Sequence, residues 1–422
     1  MPKKVKSQPS CMDASDAHSI SVKQARDAIR RTLVAVRQQQ LVPIRDALGR
    51  VLAEDCISPI DVPSHTNSAM DGYALNGTDL PVEGVRNYRV VATALAGQTV
   101  DMVCGPGQCI RIMTGAPMPP GTDTVVMQEQ AEKLGDARVR IDSRHRVGQN
   151  VRQAGEDIPK GSRAFESGRL LRAADLGVLA SLGFAELRVY RRPRVAFFST
   201  GDELRSVGDV LAEGEIFDSN RYSLHAMLEE AGVDIIDMGV VRDDRSALEA
   251  AFREASSMAD VVITSGGVSV GEADYTREIL DKLGKMSFWT IAMKPGRPLT
   301  FGRLRDAMFF GLPGNPVAVM LTFRQFVRPA LAYLAGGDWP TPLVVEARAE
   351  TALKKRPGRF EFVRGVLSYD DRNRLTVCPS GAQGSGVLTS MSRANCFILL
   401  AEDCDGVAEG ETVVVEPFAI TL

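Results

Sequence analysis

The chain has 422 residues, 44% hydrophobic and 24% charged, which is too long for one ordinary core and describes a globular protein of roughly two to four domains. A formal net charge of -3 excludes any general attraction to nucleic acid or to an anionic membrane, so an anionic substrate must be held by local basic groups. Seven scattered cysteines with no C-x-x-C pair exclude a disulfide framework and a zinc site, and fit a reducing cytoplasm.

The residues before Ser19 are basic without the apolar run of a secretory signal, and they read as a mobile tail; no apolar stretch is long enough to span a bilayer. Ser21 to Arg37 is predicted as a helix, capped by Ser21, with Ala25, Ala28, Ile29 and Leu33 as an apolar stripe. A second helical segment is predicted over Ile44 to Asp55. From the break at Ser58-Pro59 to Asp157 the period changes to that of strands, as in Tyr88–Ala92 and Arg138–Ile141. This reads as a small inserted β domain, because Ala173 to Gly183 is helical again and is expected to pair with the first helices.

After Pro193 strands and helices alternate in the manner of a doubly wound sheet. Strand Arg194–Phe198 leads into Ser199-Thr200-Gly201-Asp202-Glu203, and Asp218-Ser219-Asn220 caps the following helix. Strand Val233–Met238 reaches Asp243-Asp244, and helix Arg245–Ser257 follows. The β-branched run Val261-Val262-Ile263 then delivers the loop Thr264-Ser265-Gly266-Gly267, with Ser269, Glu272 and Asp274 beyond it. Adjacent glycines let backbone N–H groups approach a ligand, the hydroxyls of Ser265 and Ser269 suit phosphate oxygens, and carboxylates beside them point to a phosphate bound with a divalent metal. Glu203, Asp243 and Asp274 each follow a strand end and are expected to converge on one crevice.

Met293-Lys294-Pro295-Gly296-Arg297-Pro298 and Gly311-Leu312-Pro313-Gly314-Asn315-Pro316 are stiff loops, the second placing Pro316 as the first residue of a helix to Leu334. From Trp339 the pattern is all β, with strands expected at Leu343–Ala347, Phe360–Leu367, Arg374–Cys378, Cys396–Leu400 and Thr412–Pro417, as in a small barrel. The fold class is therefore multidomain α/β plus β. Its expected parts are a tail (1–18), a discontinuous N-terminal helical domain (19–60 and 158–193), an inserted β domain (61–157), an α/β domain (194–338) and a C-terminal β-barrel (339–422). The four histidines show no ligand spacing, the glycine loops lack a Walker lysine, and no Gly-x-Ser-x-Gly elbow is present.

With these words in order, the chain resembles the molybdopterin molybdenumtransferases, the MoeA family that includes the gephyrin E domain. The resemblance rests on Asn67–Ala74, Arg111–Ala116, Gly155-Glu156-Asp157, Ser199–Leu204, Gly266–Tyr275, Lys294-Pro295-Gly296 and Gly311–Pro316. It implies a Mog-like α/β domain and a reaction of adenylyl-molybdopterin with molybdate that yields molybdenum cofactor and AMP, with Mg2+ as the metal. It implies a cytoplasmic homodimer in which Asp71 and Thr114 serve the partner's α/β domain, and contact with molybdopterin adenylyltransferase and with molybdoenzymes.

By motif match, Asp71, Thr114, Asp157, Glu203, Asp243, Asp274, Pro313 and Pro316 fall on functional positions, Lys294, Arg297 and Pro298 on the basic loop, and Arg364 and Ser385 on positions linked to molybdate. Glu203, Asp243 and Asp274 are the expected metal ligands, and Ser265, Gly266, Gly267 and Ser269 the substrate loop. His65-Thr66 stands where Phe-Asp is usual, Arg297 replaces a common second lysine, and Thr290 stands where some members carry another lysine. The competing readings are a molybdopterin adenylyltransferase, which shares the α/β domain but lacks the inserted domain and barrel, and a non-catalytic dimeric scaffold of the gephyrin E type.

Overall fold

The computed structural model describes residues 19–266 and 274–419, with the backbone but not the side chains of residues 274, 275 and 288. Gly267, Ser269 and Glu272 of the glycine loop thus lie outside the described residues, as does the side chain of Asp274. Two compact units result, one spanning Gln40–Val189 and one joining the described residues on either side of it.

Helix α1 (Val22–Thr32) opens on a reciprocal cap: Ser21 Oγ accepts from the Gln24 N–H at 3.2 Å, and Gln24 Oε1 accepts from the Ser21 N–H at 2.8 Å. Its stripe Val22, Ala25 and Ile29 is buried in the core of the larger unit, whereas the sequence led us to expect it to pair with the Ala173–Gly183 helix, whose Leu179 lies in another core. The helix stops five residues earlier than expected, because Leu33 is extended and the Val36 N–H turns to Leu334 O at 2.8 Å.

In the smaller unit the helix expected over 44–55 is absent. Only one 3-10 turn, Ile44–Asp46, stands at its start, directly after the strand Gln39–Pro43. Beyond them Gly49, Leu52 and Ala53 donate their N–H groups to Leu171, Arg169 and Arg188 carbonyls, so tertiary pairing overrides helical propensity. The expected β domain is a six-stranded mixed sheet. Its strands are β1 (Gly72–Leu75), β2 (Val85–Ala94), β3 (Gln108–Ile112), β4 (Thr124–Met127), β5 (Glu132–Lys133) and β6 (Arg138–Asp142), in the order β4-β1-β3-β2-β6-β5. Helix α2 (Ala173–Ser181) packs Leu179 against Leu52, Leu187 and Val189 in a separate cluster of this unit.

The larger unit carries the six-stranded sheet that positions the site. Its elements run β7 (Arg194–Thr200), α3 (Ser219–Glu230), β8 (Asp234–Val241), α4 (Arg245–Met258), β9 (Val261–Ser265), α5 (Asp274–Leu283), β10 (Gly284–Thr290), β11 (Pro298–Leu304), β12 (Ala307–Leu312), α6 (Pro316–Thr322) and α7 (Arg328–Leu334). The strand order is β8-β7-β9-β12-β11-β10, parallel through the first four and antiparallel at β11. Consecutive residues of β7 and β9 face opposite sides: Val195, Phe197, Val261 and Ile263 enter one core, and Ala196, Phe198 and Val262 the other. With helices over both faces the strands are apolar throughout, which is why Val261–Ile263 shows no alternation.

The barrel strands are β13 (Val345–Ala349), β14 (Phe360–Tyr369), β15 (Leu375–Pro379), β16 (Cys396–Leu400) and β17 (Thr412–Pro417), with α8 (Leu388–Arg393) between β15 and β16. They close as β14-β15-β13-β17-β16, with β16 pairing back onto β14 through Val363 and Ile398. Ala347, Leu367, Val377, Ile398 and Val415 fill the interior. Closure removes free edges from strands too short to be stable alone.

Candidate active site

Three adjacent parallel strands, β7, β9 and β12, end level with one another: Ser199 stands opposite Ser265, and Ser265 opposite Leu312. Their carboxyl ends deliver Thr200–Glu203, Ser265-Gly266 and Pro313–Pro316 to one edge of the sheet, where ligands of open α/β sheets bind. A cavity of about 130 Å³ opens there, with Glu203, Ser265, Gly266 and Pro316 among its lining residues. These four expected site residues are thus brought together.

The loop geometry requires glycine at its centre. Gly266 has φ +86°, and a Cβ there would lie 2.6 Å from Thr200 O. Its N–H donates to Leu312 O at 3.2 Å, while Ser265 Oγ lies 3.2 Å from Ser199 Oγ, both buried. The Glu203 carboxylate folds back over Gly201, whose Cβ would meet Glu203 Oε2 at 2.5 Å. Asp243, on the neighbouring strand end, donates its N–H to Asp202 Oδ1 at 3.2 Å, which brings its loop to the residue beside Glu203. Among the described residues no three metal-ligating side chains form a cluster.

Pro316 opens α6, and the Val317 N–H in its first turn donates to Ser385 O at 3.1 Å. The barrel loop holding Ser385 therefore seats on the helix beside the cavity. Arg364 builds that loop. It is 1% exposed, and its guanidinium donates to Gln383 O at 3.2 Å, Ala382 O at 3.1 Å, Gly384 O at 3.0 Å and Ser390 Oγ at 3.0 Å. Burial lowers its pKa, and the bonds recorded for its side chain go to neutral oxygens.

Lys294 does not line the cavity. It pairs with the barrel through Glu361, its Nζ 3.4 Å from Glu361 Oε2, and its side chain stays half exposed. Gly296, two residues on, packs against Thr322 at the far end of α6 from Pro316. Arg297 accepts the Ile291 N–H on its carbonyl at 2.8 Å, and Pro298 begins β11.

In the smaller unit, Thr114 donates both its N–H and its hydroxyl to Asp71 Oδ1, each at 2.7 Å. These bonds, backbone first, hold the Asp71 carboxyl below the usual range, with Arg111 adding to the effect. Asp157 is exposed and donates its N–H to Val62 O at 3.0 Å.

The sequence missed part of the cavity wall. Thr200, Phe217, Asp218 and Asn220 line it, and the sequence marked Asp218 and Asn220 for capping alone. Asp218 does cap α3, accepting from the Arg221 N–H at 3.1 Å. The available signal was redundancy: three cap-competent residues stand together where a helix needs one.

Comparison with known proteins follows the same division. The chain matches the family models for the "MoeA N-terminal region (domain I and II)" over residues 20–183, the "Probable molybdopterin binding domain" over 196–333 and the "MoeA C-terminal region (domain IV)" over 346–418. A molybdopterin molybdenumtransferase of Haemophilus influenzae is 42% identical across 94% of this chain and 98% of its own. A protein of the same name from Bacillus subtilis is 34% identical across 92% of each. The solved structure of a molybdopterin biosynthesis MoeA protein from Pyrococcus horikoshii superimposes with a TM-score of 0.81 at 28% identity, covering 95% of this chain and 100% of that one. With three consecutive family models and relatives matched along almost their whole length, this chain belongs to the MoeA family.

Proposed function

We propose that this protein is a molybdopterin molybdenumtransferase, which converts adenylyl-molybdopterin and molybdate into molybdenum cofactor and AMP. Its curated relatives carry that name and match 89% to 94% of the chain. The observation that carries the reading in the molecule is the cavity where Glu203, Ser265, Gly266 and Pro316 meet at the carboxyl ends of parallel strands. The adenylyltransferase alternative is not favoured, because the matches extend well beyond the α/β domain, and the scaffold alternative has no observation in its support.

Releasing AMP from a phosphoanhydride while admitting a molybdate dianion crowds negative charge. We assign Glu203, Asp243 and Asp274 to hold a divalent cation, with Mg2+ as the ion; their oxygen-only donor set suits a hard cation. The cation would offset charge on the phosphate oxygens. Ser265, Gly266, Gly267 and Ser269 receive the phosphate, and Lys294 and Arg297 supply the remaining positive charge. Arg364 shapes the loop that presents Ser385 to molybdate. Asp71, Thr114 and Asp157 are assigned to the catalytic constellation on the family resemblance. The homodimer, the cytoplasmic location and the contacts with adenylyltransferase and molybdoenzymes belong to the same proposal; no helix of the described residues is long and apolar enough to cross a membrane.

The test is direct. Purified protein should release AMP from adenylyl-molybdopterin only when molybdate and magnesium are both present. Release without molybdate, or none with both, rejects the reading.

A further inference from the structure

Three polar side chains on the cavity wall keep an atom that the fold does not use. Thr200, Asp218 and Asn220 are 6%, 1% and 8% exposed, and Thr200 Oγ1, Asp218 Oδ2 and Asn220 Oδ1 are buried without a hydrogen-bond partner among the described residues. Buried polar atoms are nearly always paired, so three unmet ones on one wall mark a surface that a ligand completes.

The two acceptors are oriented by their other atoms. Asp218 Oδ1 is committed to the Arg221 N–H at 3.1 Å, and Asn220 Nδ2 donates to Gly314 O at 2.7 Å. That second bond fixes which way the amide faces, so what remains is one carboxylate oxygen and one amide oxygen, both acceptors only. Beside them, Ile216 and Phe217 are 55% and 43% exposed and give the cavity an apolar wall. An aromatic face next to an acceptor edge suits a flat heterocycle that stacks on the ring and points N–H groups at the edge.

Resting on the function proposed above, we infer that Asp218 and Asn220 read the aminopyrimidinone edge of the pterin, with Phe217 as its stacking platform. That edge presents two adjacent donors, the 2-amino group and the ring N–H, to two acceptors. Adenine presents a donor beside an acceptor nitrogen, which would leave two acceptors facing each other. Asp218 and Asn220 are thus specificity-determining residues for the pterin half of the substrate.

The experiment measures binding of pterin, its 2-oxo analogue lumazine, and AMP to the full-length protein by calorimetry, alongside turnover of adenylyl-molybdopterin. Wild-type protein should prefer pterin to lumazine by at least about tenfold, because lumazine turns an oxygen towards the acceptors. Asp218→Ser keeps an oxygen for the helix cap and removes Oδ2. It should bring the ratio to about one and raise KM for adenylyl-molybdopterin about tenfold, with AMP affinity unchanged. Phe217→Ala should weaken both heterocycles alike. Equal affinity of the wild type for both, including none for either, overturns the inference, as does an unaltered ratio in Asp218→Ser. Loss of AMP affinity in place of pterin preference assigns the wall to adenine and overturns it too. If Asp218→Ser does not fold, Asn220→Ser reads the same ratio. A wild type that prefers pterin but turns over no adenylyl-molybdopterin rejects the proposed function instead.

Discussion

Thr114 gives two hydrogen bonds, from its backbone N–H and its hydroxyl, to a single oxygen of Asp71, both at 2.7 Å. One carboxylate oxygen is thereby fixed, and the two bonds hold the carboxyl pKa below its ordinary value. Thr114→Val removes the hydroxyl donor and leaves the backbone bond. Its Asp71 pKa should rise towards the ordinary carboxylate value, read by NMR titration, and kcat/KM should fall about tenfold with the melting temperature unchanged. An unaltered pKa rejects the hydroxyl's part in lowering the Asp71 pKa.

Gly266 sits at φ +86° with the site of its missing Cβ 2.6 Å from Thr200 O. Gly266→Ala must either strain the backbone or push the loop off the strand end. A cost of about 1–3 kcal/mol is expected from the backbone alone. AMP binding should weaken by at least about tenfold, because the N–H groups of the loop move. Normal stability and AMP affinity in this variant would show that the loop tolerates a side chain.

Glu203 and Asp274 are assigned to the cation, and their amide variants test that assignment. Glu203→Gln and Asp274→Asn should each reduce turnover on the order of a hundredfold at limiting magnesium. Part of the Glu203→Gln loss should return at high magnesium, and EDTA should stop the wild type. Full turnover by either variant at limiting magnesium removes that residue from the cation.

Arg364 holds the Ser385 loop through three carbonyls and the Ser390 hydroxyl. Arg364→Met fills similar space and leaves those acceptors unmet, so about 3 kcal/mol of stability should be lost. Activity should fall with it, since Ser385 O meets the Val317 N–H beside the cavity. Urea unfolding followed by barrel-specific hydrogen exchange measures the first effect. An unchanged exchange pattern around 382–385 would remove Arg364 from that role.

Asp260 tests pH dependence. Burial pushes its carboxyl up, but hydrogen bonds from Arg191 at 2.8 and 2.9 Å and from the Arg194 N–H at 2.7 Å outweigh that, and its pKa lies below the ordinary value. A depressed carboxylate contributes stability that is present above its unfolded pKa of about 3.9 and is lost as pH falls through the folded value. Asp260→Asn should therefore be less stable than wild type at pH 7, and the gap should close below about pH 4. A gap independent of pH would show that the ionised form is not what stabilises.

Local patterns carried much of this architecture. Val261–Ile263 reads as a buried strand because helices cover both faces of its sheet, and Cys396–Leu400 and Thr412–Pro417 are strands to the residue. Ser21 and Asp218 cap the helices they were expected to cap, and Pro316 begins α6. Glycine after serine at a strand end likewise marked a tight turn, and Gly266 takes the left-handed backbone that such a turn requires. These features depend on neighbours in the chain, so the order of residues alone determines them.

Tertiary structure decided the rest. Ile44–Asp55 does not form an α-helix because carbonyls of Arg169, Leu171 and Arg188 take the N–H groups of Leu52, Gly49 and Ala53, partners more than a hundred residues away. Arg364 turned inward to hold a loop, and Lys294 turned to Glu361, because burial and charge in the folded barrel select their partners. Asp218 and Asn220 became an acceptor wall only when Gly314 and the Arg221 N–H took their other atoms. Which atom of a side chain is left unpaired depends on contacts between distant segments, and no local pattern encodes that.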